Sequence, residues 1–292
     1  MGLSTLIKNL RFLAKHNLKN NFINYQNLDD FVESLKYEIA DKSPNLKIPK
    51  IKNIDETIDT IVANNLSICR FGDGELQLMQ GKDIVFQKSS PQIALRLKEI
   101  LSSKNSQIAI AIPRTLFYGN PNTYYLVRNF WRQNGNRFRN IIEQYIDLDW
   151  QYYSAELTIA YAMYAKYNFD SYFQKLKNIW ENKDIAIICG KTVFDNITHN
   201  IFDGAKSVQY LYGKERDAFD DYENLLLQSK LISKDRIIIT ILGPTAKILA
   251  YDLTLEGYQA LDLGHVAKSY DYYLKHQNTQ DLSAAIKFFN PD

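Results

Sequence analysis

The sequence predicts an α/β fold, a mostly parallel sheet with helices on both faces, and three observations lead there. Short β-branched runs recur along the chain. Longer stretches with apolar residues at helical spacing separate them. The runs are apolar throughout rather than alternating, as strands covered on both faces are.

The runs, taken in order, are LSICRF (66–71), QIAIAI (107–112), DIAIIC (184–189), RIIITIL (236–242) and YQALDL (258–263). IDETIDTIVANN reads as a helix before the first, SPQIALRLKEILSS before the second and DAFDDYENLLLQSK before the fourth. TAKILAYDLTLEG lies between the last two and ends on a glycine suited to a helix C-terminus. Strands joined by helices in this way settle into a parallel sheet.

At 292 residues and 46% hydrophobic, the chain can bury one large core, or a main domain with an appendage. Its 35 Lys and Arg against 33 Asp and Glu leave no global field to attract nucleic acid. No window is long and apolar enough to span a membrane, and the first residues lack a signal peptide's apolar core and cleavage site. A cytoplasmic protein is expected. Cys69 and Cys189 each sit inside a strand run and read as reduced, packed thiols.

Residues 1–50 form a separate unit in this reading, with the main domain over 51–292. Lys8, Arg11, Lys15 and Lys19 occur with no acid before Asp29, while Leu3, Leu6, Ile7, Leu10 and Leu13 keep helical spacing. That is a basic amphipathic helix over 1–22, fit for peripheral contact with the anionic inner face of a membrane, or for packing on its own domain or a second subunit of a homodimer. Two prolines and four lysines in 41–52 mark the connection.

Every strand run is trailed by glycine, proline or polar residues: GDGE, PRTLFYGNPN, GKTVFDN, GPTA and GH. In open α/β sheets the ligand crevice lies beyond the carboxyl ends of the strands, so these stretches are expected to converge on one polar ligand. Asp73 and Glu75 stand two apart in the first of them. On extended or glycine-turned backbone they point the same way and can share a hard cation, Mg²⁺ or Mn²⁺, with substrate phosphates completing the shell. The competing reading makes Asp73 the cap of a helix opening at Glu75 or Leu76. The dinucleotide G-x-G-x-x-G, the P-loop and the G-x-S-x-G elbow are all absent. A metal-and-diphosphate site without a known phosphate loop remains.

Three blocks carry a family resemblance: RFGDGE (70–75), NIFDGAKSVQYLYGKERDAFDDYENLL (200–226) and ILGPTAKILAYDLTLEGYQALDLGH (241–265). The chain resembles the GT-D-fold glycosyltransferases. The resemblance implies a Rossmann-like catalytic domain that moves a sugar from a UDP-sugar, glucose or galactose, to a glycan or lipid-linked glycan acceptor in cell-surface polysaccharide or glycoprotein synthesis. It also implies a D-x-E motif holding a divalent cation, and Asp73 and Glu75 occupy those positions. Phe71 and Gly72 belong to the same motif and are expected at the nucleotide sugar.

Arg70 and Lys191 are candidates for phosphate contact, with pairing to a core carboxylate the alternative for Arg70. Gly243, Pro244 and Thr245 open a helix whose free N–H groups suit a phosphate or a sugar hydroxyl. His265, at the end of the last strand, is a candidate to complete the metal shell or to hydrogen-bond the diphosphate, against a purely structural role. One departure concerns GHVAKSYDYY, where Ala267 stands in place of the acid that family members carry two positions after the histidine. Asp271 is the candidate replacement, and Asp271 and Glu156 are the candidate general bases. Tyr161, Tyr164 and Tyr167 keep near-helical spacing and read as a packed face. A non-catalytic nucleotide-sugar-binding protein and a metal-dependent phosphohydrolase are the rival functions.

Overall fold

The computed structural model describes residues 25–38 and 46–290. The amphipathic segment 1–22 lies outside them. Twelve α-helices and eight strands are assigned among the described residues. The strands are β1 (Lys50–Ile51), β2 (Ser67–Arg70), β3 (Ile108–Ile112), β4 (Gln151–Ser154), β5 (Asp184–Gly190), β6 (Ser207–Gly213), β7 (Ile237–Ile241) and β8 (Ala260–Asp262). They form a single sheet of order β1-β4-β3-β2-β8-β7-β5-β6, and every pairing is parallel. All the strand runs expected from the sequence are strands.

The helices are α1 (Tyr25–Glu38), α2 (Ile54–Asn64), α3 (Asp73–Met79), α4 (Pro91–Leu101), α5 (Arg114–Phe117), α6 (Tyr125–Ile142), α7 (Ala160–Met163), α8 (Phe169–Lys177), α9 (Tyr222–Ser229), α10 (Pro244–Leu255), α11 (Val266–Leu274) and α12 (Leu282–Phe289). Their boundaries follow local chemistry. Asn53 and Glu56 make a reciprocal capping box at the start of α2. Ser90 caps α4, with Pro91 at its first position. Gly257, at φ +88°, turns the chain out of α10 as the sequence predicts.

The pleat divides the strand side chains between two apolar layers. Cys69, Ile110, Ile188 and Ile238 face one, filled by Leu76 of α3, Leu97 of α4, Ile142 of α6 and Leu249 of α10. Ile68, Ala109, Ile187 and Ile239 face the other, filled by Ile58 of α2, Phe173 of α8, Trp180 and Val266 of α11. Burial on both faces is what the unbroken apolar runs require. Both cysteines are free and buried; burial pushes the Cys69 thiol well up and the Cys189 thiol up to about 12.

β1, β4 and β6 are strands without a matching run. β1 and β6 are the edges of the sheet, and the exposed face of β6 carries Val208, Tyr210 and Tyr212. Segment 25–38 is docked: Glu38 pairs with Arg132, Ser34 accepts from Arg139 at 2.9 Å, and Tyr37 meets Phe117 edge to face. Among the described residues no helix is long and apolar enough to cross a membrane.

The centre of the sheet positions the site. β3 and β4 lie outward from β2 on one side, whereas β7 and β5 lie outward from β8 on the other. The strand order therefore reverses between β2 and β8, where an open α/β sheet leaves a crevice at its carboxyl edge.

Candidate functional site

A cavity of about 1370 Å³ occupies that crevice, bounded by the ends of β2, β5, β7 and β8 and by α6 and α12. Pro113, directly after β3, also lines it, so the convergence of strand ends expected from the sequence is realised for all five. At the end of β2 the chain enters α3 directly. Gly72 is the N-cap, Asp73 the first helical residue and Glu75 the third. This corrects the expected extended geometry: residues two apart on a helix diverge by about 200°. It also sets aside a cap by Asp73, because Glu75 does that work, its Oε2 accepting the Gly72 N–H at 2.7 Å.

The two acids have opposite electrostatics. Burial alone would push the Glu75 carboxyl up, but the Lys247 ammonium beside it outweighs that and holds it below its ordinary value. Lys247 Nζ donates to Glu75 Oε1 at 2.7 Å and stands 3.8 Å from Asp262 Oδ2. Asp73 has no cation among the described residues; its nearest side-chain partner is Gln77 Nε2 at 3.4 Å. Burial, and after it the charge of Glu75, push Asp73 up. Asp73 is the carboxylate of this site whose charge is not yet balanced.

Arg70 is spent inside the protein. Nε donates to the Asp262 carbonyl at 2.7 Å, Nη2 to Asp262 Oδ1 at 2.9 Å and Nη1 to Thr158 Oγ1 at 2.7 Å, while Asp262 Oδ2 accepts the Arg70 backbone N–H. Its guanidinium borders the cavity, but the core-carboxylate alternative is the one realised. The route of Arg70 explains Gly264: φ is +37°, and a Cβ there would come within 2.2 Å of Nη2.

The loop into α10 keeps its expected place. Gly243, at φ +53°, and Pro244 border the cavity. Thr245 is fully buried and faces Gln87 Oε1 at 3.4 Å, away from the cavity wall. Phe71 borders the cavity but its ring is fully buried in the first core layer. Lys191 is exposed and outside the wall; Arg216 is the cation that lines this side, near Glu215.

The candidate general bases are both occupied elsewhere. Glu156 lies on the wall, yet Oε1 accepts from the Thr115 N–H at 2.7 Å and hydroxyl at 2.6 Å, and Oε2 from the Tyr164 hydroxyl at 2.7 Å. Asp271 is away from the cavity. It accepts backbone N–H groups of Thr198 and His199, the His199 ring at 2.9 Å and Lys275 at 2.6 Å. Ala267 does border the cavity, so the expected acid position is there without its acid.

His265 also borders the cavity, stacked on Phe288 at 5.7 Å and edge to face with Phe86 and Phe289. Burial, reinforced by the charges of Arg70 and Lys268, lowers its imidazole to about 4. It is therefore neutral at physiological pH and enclosed by rings. Asp73, Glu75 and His265 do not form one ligand cluster: among the described residues no three His, Cys, Asp or Glu side chains group to hold a metal. A cation here would depend on substrate oxygens for the rest of its shell, which suits Mg²⁺ or Mn²⁺.

Sequence reasoning passed over Lys247 and Asp262. Each is a lone charge in an apolar run, TAKILAY and QALDLGH, and a buried charge has to find a partner.

Comparison with known proteins accords with this geometry. The family model described as glycosyltransferase GT-D fold matches residues 68–287. A probable glycosyl transferase, Gly, of Streptococcus gordonii is 31% identical over 227 residues, which are 76% of this chain and 33% of that protein. The glycosyltransferase GlyD of Streptococcus pneumoniae serotype 4 is 30% identical over 229 residues, 78% of this chain and 28% of that protein. The chain spans about a third of the length of these relatives. Among solved structures, a domain described as having a distinct glycosyltransferase fold superposes with a TM-score of 0.77 at 30% identity, covering 85% of this chain and 86% of that one. A glycosyltransferase from Streptococcus sanguinis gives 0.73 at 31% identity, covering 78% of this chain and 85% of that one. The family match runs from the β2 strand that precedes D-x-E to the last helix on the cavity wall, and by that match the chain belongs to the glycosyltransferases of the GT-D fold.

Proposed function

We propose that this chain transfers a sugar, glucose or galactose, from a UDP-sugar to a glycan or lipid-linked glycan acceptor, with Mn²⁺ or Mg²⁺ at the diphosphate. The observation that carries the reading is the unbalanced Asp73 carboxylate on the same cavity as the glycine-opened start of α10. Asp73 would hold the cation, with Glu75 contributing the capacity its hydrogen bonds leave free. When bound, that ion supplies neutralising charge as a nucleoside diphosphate departs.

The protein's own groups do the rest. The positive end of the α10 dipole, opening at Gly243 and Pro244 on the cavity wall, favours a phosphate. Gly243, free of a side chain, lets the ligand approach the backbone there. Lys247 keeps Glu75 ionised and in place, and the apolar side chains that α6 and α12 place on the wall, Phe130 and Phe289 among them, limit water there. Contact with a membrane through residues 1–22 would bring the site to lipid-linked acceptors.

A thermal-shift panel of UDP, GDP, UDP-glucose and UDP-galactose, with and without Mn²⁺, tests the reading. Stabilisation by uridine nucleotides that depends on metal supports it. No stabilisation by any of them with metal present sinks it. Phosphate release from UDP without an acceptor would favour a phosphohydrolase, and binding without any turnover a non-catalytic binder.

A further inference from the structure

The cavity is larger than one small ligand explains. A pocket for a single small ligand is roughly 300–1,000 Å³, and this one is about 1370 Å³. Asp73, Glu75, Lys247 and Asp262 give part of its wall charge. The part formed by α6 and α12 differs in chemistry. Asn129, Phe130 and Gln133 of α6 line it, three and four residues apart on one face. Leu282, Ala285 and Phe289 of α12 keep the same spacing on the second wall.

The α6 face has the features of a built platform. The Phe130 ring is 38% exposed and held by a stack on Phe138 at 6.1 Å and an edge contact with Trp131 at 4.8 Å. Trp131 is itself fixed by its Nε1 donating to Thr115 Oγ1 at 2.9 Å. Beside the ring, the side-chain amides of Asn129 and Gln133 make no hydrogen bond to other described residues. Nearby charges are internally engaged: Glu156 by Thr115 and Tyr164, and Lys268 by the Lys287 and Asn290 carbonyls at the end of α12.

We infer that this wall of the cavity is the acceptor subsite and that it takes an uncharged sugar ring, the C–H face against Phe130 and hydroxyls on Asn129 and Gln133. An aliphatic chain would leave both amides without partners, and an anionic group would find no free cation among the described residues of this face. The inference rests on the proposed transferase reading and specifies the acceptor end of it.

Saturation-transfer NMR on the full chain with UDP and Mg²⁺ present tests it, using methyl β-glucoside, methyl β-galactoside, N-acetylglucosamine, glucuronate and geranyl phosphate as probes. The expected result is transfer to ring protons of a neutral sugar, weakened about tenfold in both Phe130→Ala and Asn129→Ala, with the UDP thermal shift unchanged in each. The unchanged shift certifies that the variants are folded and that the donor site is intact. No transfer to any neutral sugar, transfer indifferent to both variants, or preferred binding of glucuronate or geranyl phosphate overturns the subsite. Failure of UDP to stabilise the wild-type chain, with sugar transfer intact and sensitive to both variants, sinks the donor reading and leaves this one standing.

Discussion

Lys247 and Glu75 meet at 2.7 Å although 172 positions separate them in the chain, and the contact ties the helix after β7 to the first turn of α3, which carries D-x-E, after β2. The lysine side chain is 3% exposed and the glutamate 14%. Such a pair is costly to desolvate, and breaking it on one side is costlier still. Here it also decides which acid of the motif carries unbalanced charge.

Lys247→Met should therefore destabilise the fold by about 3–5 kcal/mol, the usual cost of stranding one partner of a buried pair. The double variant Lys247→Met with Glu75→Gln should recover most of that loss, since the remaining groups no longer leave an ion unpaired. Urea unfolding of the two proteins checks this. Equal instability of single and double variants would show that Lys247 acts through packing alone.

The pH dependence of the pair follows from Glu75. Its carboxyl is held below the ordinary value of 4.5, so its contribution to stability is present above that value and lost as pH falls through the lower folded one. Stability measured between neutral and acid pH should show this loss in the wild type and a smaller one in Glu75→Gln. A wild type and variant with the same acid slope would argue against the ion pair.

Asp73 has the opposite sign. Because its folded value is raised above 3.8, ionising it costs stability that accrues as pH rises through the raised value. Asp73→Asn should raise the melting temperature at neutral pH, and the gain should vanish below the ordinary carboxylate value. The same variant should lose metal-dependent stabilisation by UDP. A more stable but ligand-blind protein is the signature of a group kept for function; a less stable one would make Asp73 a structural residue of α3.

How much of this was legible depends on what each residue's neighbours in sequence reveal. β2, β3, β5, β7 and β8 are buried on both faces and announce themselves as apolar runs. β6 does not, because it is an edge strand whose outer residues include Gln209, Tyr210 and Tyr212 in the open. D-x-E was visible as a pair, but its helical geometry was not: glycines on either side of Asp73 suggest a turn, and Gly72 turns out to be an ordinary extended N-cap. Arg70, Glu156 and Asp271 look like free polar groups in sequence, and each is engaged by at least one partner 41 to 192 positions away. Local spacing carries no record of such contacts.

Gly264 offers a test of the Arg70 pin. The residue combines φ +37° with a Cβ position 2.2 Å from Nη2, so Gly264→Ala must both strain the backbone and push the guanidinium from Asp262. The strain alone is worth about 1–3 kcal/mol, and a displaced Arg70 adds the cost of a disturbed buried ion pair. Shortening the arginine removes the collision but not the strain. In an Arg70→Ala background, Gly264→Ala should therefore cost measurably less than in the wild type, as a double-mutant cycle of unfolding free energies would read. Additive costs would mean that Arg70 yields freely and that Gly264 is required by its backbone angle alone.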